Sequence, residues 1–108
     1  RWALPHLAGL APDARDTALI EVVGTSVASQ ESVVAALALA ALAEDPWATL
    51  CRAASLGGDT DTVAAMAGAV LGATHGGEIW PAAAVATVER VNELDLGPLV
   101  GKLVDLRT

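Results

Sequence analysis

The sequence predicts an all-α fold, and three observations carry that reading. No run that alternates valine or isoleucine with polar residues reaches four positions, so no half-buried strand is signalled. Apolar residues make up 54% of the chain, with three tryptophans, no phenylalanine and no tyrosine. The excess is therefore aliphatic and mostly alanine, the strongest helix former. Glycine and proline recur between helix-length segments, at Gly24, Pro46, Gly57-Gly58, Gly76-Gly77, Pro81 and Gly97-Pro98, where they stop one helix or start the next. A chain of 108 residues suits one domain with a modest core.

Taken in order, residues 1–11 are apolar but broken by Pro5 and Gly9. His6 has no second histidine or cysteine at ligand spacing and reads as a surface or partly buried side chain. Pro12-Asp13-Ala14-Arg15-Asp16 opens a helix, with proline in the first turn and acids following it. Leu19, Ile20, Val22 and Val23 carry its apolar face, and Gly24 ends it. Gly24 to Gln30 is a small-residue loop in which Ser29 is placed to cap the next helix, with Ser32 on its first turn. Glu31 fits the acidic first turn of that helix.

Ser32 to Ala43 is apolar nearly all round, which predicts a helix buried on most sides. Asp45 as N-cap and Pro46 at the first helical position start the following helix. There Trp47, Leu50, Cys51 and Ala54 form an inward stripe, and Cys51 reads as a core residue. After Gly57-Gly58 a helix begins at Asp59, with Val63, Met66, Ala67, Val70, Leu71 and Thr74 on its packed side. Gly68 and Gly72, one turn apart, predict close approach of another helix. His75-Gly76-Gly77 ends this helix. Trp80-Pro81 reopens one to about Asn92, and Asp95 or Gly97 leads into the last, Pro98 to Arg107.

Charge and cysteine usage narrow the function classes. A net charge of −7 with six scattered basic residues excludes a nucleic-acid backbone as partner, since phosphate binding needs clustered Lys and Arg. Cys51 is the one cysteine, so there is neither a disulfide framework nor a thiolate metal cluster, which suits a cytoplasmic location. The longest continuous apolar run, Val33 to Ala43, is too short to span a bilayer, and no membrane partner is expected. No signal-peptide pattern is visible.

The chemistry concentrates in Gly57-Gly58-Asp59-Thr60-Asp61-Thr62. One reading makes Asp59 an ordinary N-cap that accepts from the Thr62 amide, with Asp61 in an acidic first turn. The other makes the segment a hard-metal site. The oxygens of Asp59, Asp61 and Thr62 can converge beyond one helix end, and oxygen-only ligands select Mg²⁺, Mn²⁺ or Ca²⁺ over zinc. A helix N-terminus repels a bare cation, so at least two carboxylates are needed there.

Leu56 to Gly72, LGGDTDTVAAMAGAVLG, resembles the C-terminal signature of the ADP-ribosylglycohydrolase family. Gly24 to Leu37 resembles the loop and helix preceding that signature, and Asp45-Pro46-Trp47 with Ala53 and Ala54 the helix leading into it. Gly76 to Pro81 and Leu94 to Arg107 fit the family's last turns. The resemblance implies a compact orthogonal bundle, here about five to six helices, and a hydrolase that removes ADP-ribose from modified proteins or related molecules. Two Mg²⁺ or Mn²⁺ ions are implied, with Asp59, Asp61 and Thr62 as metal ligands. Gly24, Ser26, Ser29 and Gly58 are the implied substrate contacts.

The family's remaining metal ligands sit near its N-terminus in a Thr-Asp-Asp-Thr type motif, beside a catalytic acid. This chain has no Asp-Asp pair. Residues 1–108 therefore read as the C-terminal part of such an enzyme, with half of the binuclear site and no catalytic residue. The expected partners are an ADP-ribosylated substrate or ADP-ribose, an N-terminal half in cis or in trans, and self-association through exposed apolar faces. Two other readings compete. A phosphatase of the haloacid dehalogenase type also uses D-x-D-x-T with Mg²⁺, but there the first Asp ends a β-strand. A non-catalytic helical binding or assembly module derived from the family is the other, and the missing acid pair favours it.

Overall fold

A computed structural model describes residues 3–107. Among them are seven α-helices and no strand: α1 (Ala3–Ala8), α2 (Pro12–Ala18), α3 (Ser29–Ala41), α4 (Pro46–Ser55), α5 (Thr60–His75), α6 (Ala82–Asn92) and α7 (Gly97–Asp105). A π-helical turn, Leu19–Val23, continues α2, and a short 3-10 turn, Gly77–Ile79, follows α5. The all-α expectation holds. The interrupted apolar stretch at the start is itself a short helix.

Helix α5 is the central element and packs on both α3 and α4. Val63, Ala67 and Leu71 lie at four-residue spacing on its buried side, the placement that a 3.6-residue period gives to one face. A Cβ on Gly68 would stand 3.2 Å from Leu50 Cδ1, and one on Gly72 would stand 3.5 Å from the Trp80 indole nitrogen. Gly68 thus admits α4 closely, as expected, whereas beside Gly72 the neighbour is the Trp80 ring, which lies outside the helices and at ordinary contact distance. The core is otherwise Leu7, Leu19, the alanine face of α3 with Leu39, Ala53 and Leu56. Small residues let the helix axes approach closely, so packing here relies on proximity more than on large side chains.

The start signal at Asp45-Pro46 and the glycine stops are obeyed. Asp45 Oδ1 accepts from the Ala48 amide at 2.8 Å, with Pro46 at the helix start. Gly24 and Gly76 terminate their helices at φ 90° and 89°. Ion pairs tie the first helices to the rest. Arg52 Nε lies 3.3 Å from Asp16 Oδ2, linking α4 to α2. Arg15 donates to the Leu7 carbonyl at 3.0 Å. Burial pushes the Asp16 carboxyl up despite the neighbouring Arg52.

Several burial expectations are corrected. Ser29 is not the cap of α3: Ala28 holds that position, and Ser29 is the first helical residue. On α3 only Ser32, Ala35, Ala36, Ala38 and Leu39 are buried, while Val33, Val34 and Leu37 face outward, because α3 has packed neighbours on one side only. On α4 the inward residues are Ala53 and, just beyond the helix, Leu56; Trp47, Cys51 and Ala54 are exposed. Cys51 is thus a surface thiol. Along residues 19–23, Leu19 is buried and Ile20 and Val22 are exposed, since the wider π turn rotates them off the inner face. On α5, Val70 and Thr74 lie outside the buried stripe. Helices α6 and α7 bury none of their residues. No helix among the described residues is long and apolar enough to cross a membrane.

Candidate functional site

The start of α5 and the loop before α3 meet. The Asp59 amide donates to the Thr25 carbonyl at 2.7 Å, and the Asp59 carbonyl accepts from Val63 at 3.0 Å to begin the helix. Asp59 stands at the N-cap position, but its side chain makes no capping hydrogen bond. The simple N-cap role for its carboxylate is therefore not the one adopted. Gly58 has φ +77°, and a Cβ there would lie 2.7 Å from Thr25 Oγ1 and nearer still to the Thr25 carbonyl oxygen. Only glycine supplies both that dihedral and that clearance.

Neither carboxylate of the turn is buried. Asp61 and Thr62 are exposed and Asp59 is half-buried. Hydrogen bonding with the Asp59 carboxyl, then with the Thr62 and Asp61 amides, holds the Asp61 carboxyl below its usual range. Two carboxylates this close repel unless a proton or a cation lies between them. The positive end of α5 offsets part of that repulsion.

The facing loop is braced by a residue that its sequence position left ambiguous. Glu31 Oε2 accepts from the Ser26 amide at 3.1 Å, and Ser26 Oγ accepts from the Ala28 amide at 3.2 Å. Gly24, at φ +90°, lies under the Glu31 side chain, where a Cβ would come within 2.7 Å of Cγ and closer to the carboxylate. Hydrogen bonds from the Ser26 hydroxyl and amide pull the Glu31 carboxyl below its ordinary 4.5. Its ionised form therefore steadies the loop at and above pH 4.5, and that contribution is lost as pH falls through the lower folded value. The Ser26 amide resonance is expected to titrate with a midpoint below 4.5 and to lose that titration in Glu31→Gln.

Of the residues singled out in the sequence, Gly58, Asp59, Asp61 and Thr62 form one turn, and Gly24 and Ser26 flank Thr25, whose carbonyl holds that turn. Ser29 is exposed one residue into α3. The sequence reading missed Thr25, which is buried between the two segments. Its one signal was its place between Gly24 and Ser26. Among the described residues, no group of three or more His, Cys, Asp or Glu side chains could hold a metal, so this turn contributes two acids and a hydroxyl. A cavity of about 870 Å³ lies elsewhere, between α2, α4 and the end of α3, and none of these site residues lines it.

The comparisons agree with the fold. A family model described as ADP-ribosylglycohydrolase matches residues 2–108. The uncharacterized protein YegU of Escherichia coli (strain K12) is 42% identical over 90 residues, which are 82% of this chain and 27% of the relative. The chain thus spans about a quarter of that relative's length. No solved structure shows a significant match. With a family match over nearly every residue of an all-helical chain, this protein belongs to the ADP-ribosylglycohydrolase family.

Proposed function

We propose that the chain carries one half of a binuclear Mg²⁺ or Mn²⁺ site in a hydrolase that releases ADP-ribose from modified proteins or related molecules. The observation behind this is the pair Asp59 and Asp61: two carboxylates within hydrogen-bonding reach of each other at the start of α5, with no capping hydrogen bond made by the Asp59 side chain. Asp59, Asp61 and the Thr62 hydroxyl are the ligands in this reading, and an all-oxygen donor set fits a hard divalent cation. When bound, such ions supply Lewis-acid activation of water and orientation of the ribose hydroxyls.

The chain's own residues then hold and shape the site. The Asp59 and Asp61 carboxylates reverse the positive field of the helix end. The Thr25 carbonyl fixes the turn through the Asp59 amide. Gly24, Ser26, Ser29 and Gly58 are the proposed substrate contacts, where a backbone without Cβ and short hydroxyls allow close approach. A lone exposed thiol, Cys51, suits a reducing, cytoplasmic setting.

Three ligand groups are few for Mg²⁺, which takes six oxygens and fills the rest with water. The purified chain by itself is therefore expected to release no ADP-ribose from a modified substrate. A longer protein that contains it is expected to do so, and to stop on chelation of divalent metal. Turnover by the chain alone would contradict the half-site reading. Metal-independent turnover by the longer protein would contradict the metal reading.

A further inference from the structure

The loop between the π-helical turn and α3 has two ends that are held differently. Residues 24–28 form no regular element, and Ser26 and Val27 are exposed. The inner end is fixed by burial: Thr25 is buried, and its carbonyl accepts from the Asp59 amide. Beyond Thr25 the tie comes from Glu31. Its Oε2 accepts from the Ser26 amide at 3.1 Å, and the Ser26 hydroxyl bonds to the same carboxylate. That hydroxyl oxygen also accepts from the Ala28 amide at 3.2 Å. One carboxylate therefore sets both the backbone and the side-chain rotamer of Ser26. Gly24 makes the room, since a Cβ there would overlap the Glu31 carboxylate.

An acid that only serves the helix dipole needs none of this. Its charge is favourable anywhere near the first turn, including out in solvent. Glu31 instead folds back over a glycine to reach a residue five positions earlier. We propose that Glu31 is a positioning residue for substrate: through Ser26 it holds the outer half of the loop in the form that the ADP-ribosyl group meets. This rests on the hydrolase reading above, in which Gly24 and Ser26 are substrate contacts, and adds the residue that orders them. The consequence falls on affinity. A loop that spends only part of its time in the binding form weakens binding by that fraction. Once substrate is bound the loop is ordered in either case, so KM rises while kcat stays.

Two substitutions with opposite properties test this in the longer protein that contains the chain. Glu31→Asp keeps a negative charge in the first turn of α3 but is one methylene too short to hold Ser26. Glu31→Gln drops the charge but keeps an acceptor oxygen at the same reach. Glu31→Asp is expected to raise KM at least ~10-fold, as when the binding form falls to about a tenth, with kcat within about threefold. Glu31→Gln is expected to stay much nearer wild type. In the chain by itself, Glu31→Asp should quicken exchange of the Ser26 amide, while the Asp59 amide, held by Thr25, keeps its rate. The reverse ranking, with Glu31→Gln impaired and Glu31→Asp normal, would reduce Glu31 to a helix-end charge and overturn the proposal. A fall in kcat at constant KM would overturn it too, as would unchanged kinetics in both variants of an active protein. Unfolding of the Glu31→Asp protein would assign Glu31 to the fold instead. A wild-type protein without turnover is a distinct result: it removes the hydrolase reading itself, and this proposal falls with it.

Discussion

Asp61→Ala, placed in a full-length family protein carrying this sequence, is expected to abolish ADP-ribose release while the helical circular dichroism stays unchanged. Asp61 is exposed on the first turn of α5, so its removal takes from the fold only surface hydrogen bonds at that turn and a favourable interaction with the helix dipole. Its loss from the site is far larger. A lone Asp59 carboxylate at a positive helix end cannot reverse the local field, and cation affinity falls with it. Turnover is expected to drop by at least about 10²–10³-fold, the scale for removing one group that stabilises transition-state charge. Stopped assays of free ADP-ribose, paired with metal analysis of the purified variant, check both halves of this statement. Near wild-type hydrolysis with full metal content would remove Asp61 from the site.

Gly58→Ala is expected to have the largest effect on stability at the site. The new Cβ would enter the space of the Thr25 carbonyl and hydroxyl, and φ +77° is costly for any side-chain-bearing residue. Overpacking of about 1–3 kcal/mol and left-handed strain of about 1–2 kcal/mol together predict a loss of roughly 2–5 kcal/mol in urea unfolding. The Asp59 amide should also lose its partner, so its exchange should accelerate more than that of Ala67 or Leu71 deeper in α5. Gly57→Ala provides the contrast: it shares a positive φ of 91° but has open space around it, so only the strain part of the loss is expected.

What the sequence made legible was local. Asp45-Pro46 states a cap and a first turn within two residues, and the structure has both. Gly68 announces a close helix through its cost to α5, and Leu50 of α4 is that neighbour, while beside Gly72 stands the Trp80 ring instead of a helix. Less local features were hidden. Thr25 matters through its carbonyl, and a backbone oxygen has no signature in sequence. Its partner, the Asp59 amide, lies 34 residues on and is reached only through the packing of α3 on α5.

Burial on α3 and α4 was misjudged for one physical reason. Hydrophobicity marks which residues suit burial, but the side they bury depends on which neighbours are present. Val33, Val34 and Leu37 are apolar yet face outward, and on α4 the small Ala53 allows the close approach that the larger Trp47 would block. The Glu31 brace was ambiguous in the same way, because an acid in a first turn serves the helix dipole and the Ser26 loop equally well until the loop is seen folded over it.

The central claim is that Asp59 and Asp61 form half of a divalent-cation site at the start of α5. Paramagnetic broadening by Mn²⁺ in the amide spectrum of this chain tests it most directly, since broadening reports even the weak, millimolar binding expected of three ligand groups. The account predicts that substoichiometric Mn²⁺ selectively broadens Gly58, Asp59, Asp61 and Thr62, with Thr25 and Ser26 next, and that Asp59→Ala abolishes the effect. Broadening spread evenly over exposed acids such as Glu78 and Asp95, or unchanged in Asp59→Ala, would contradict it.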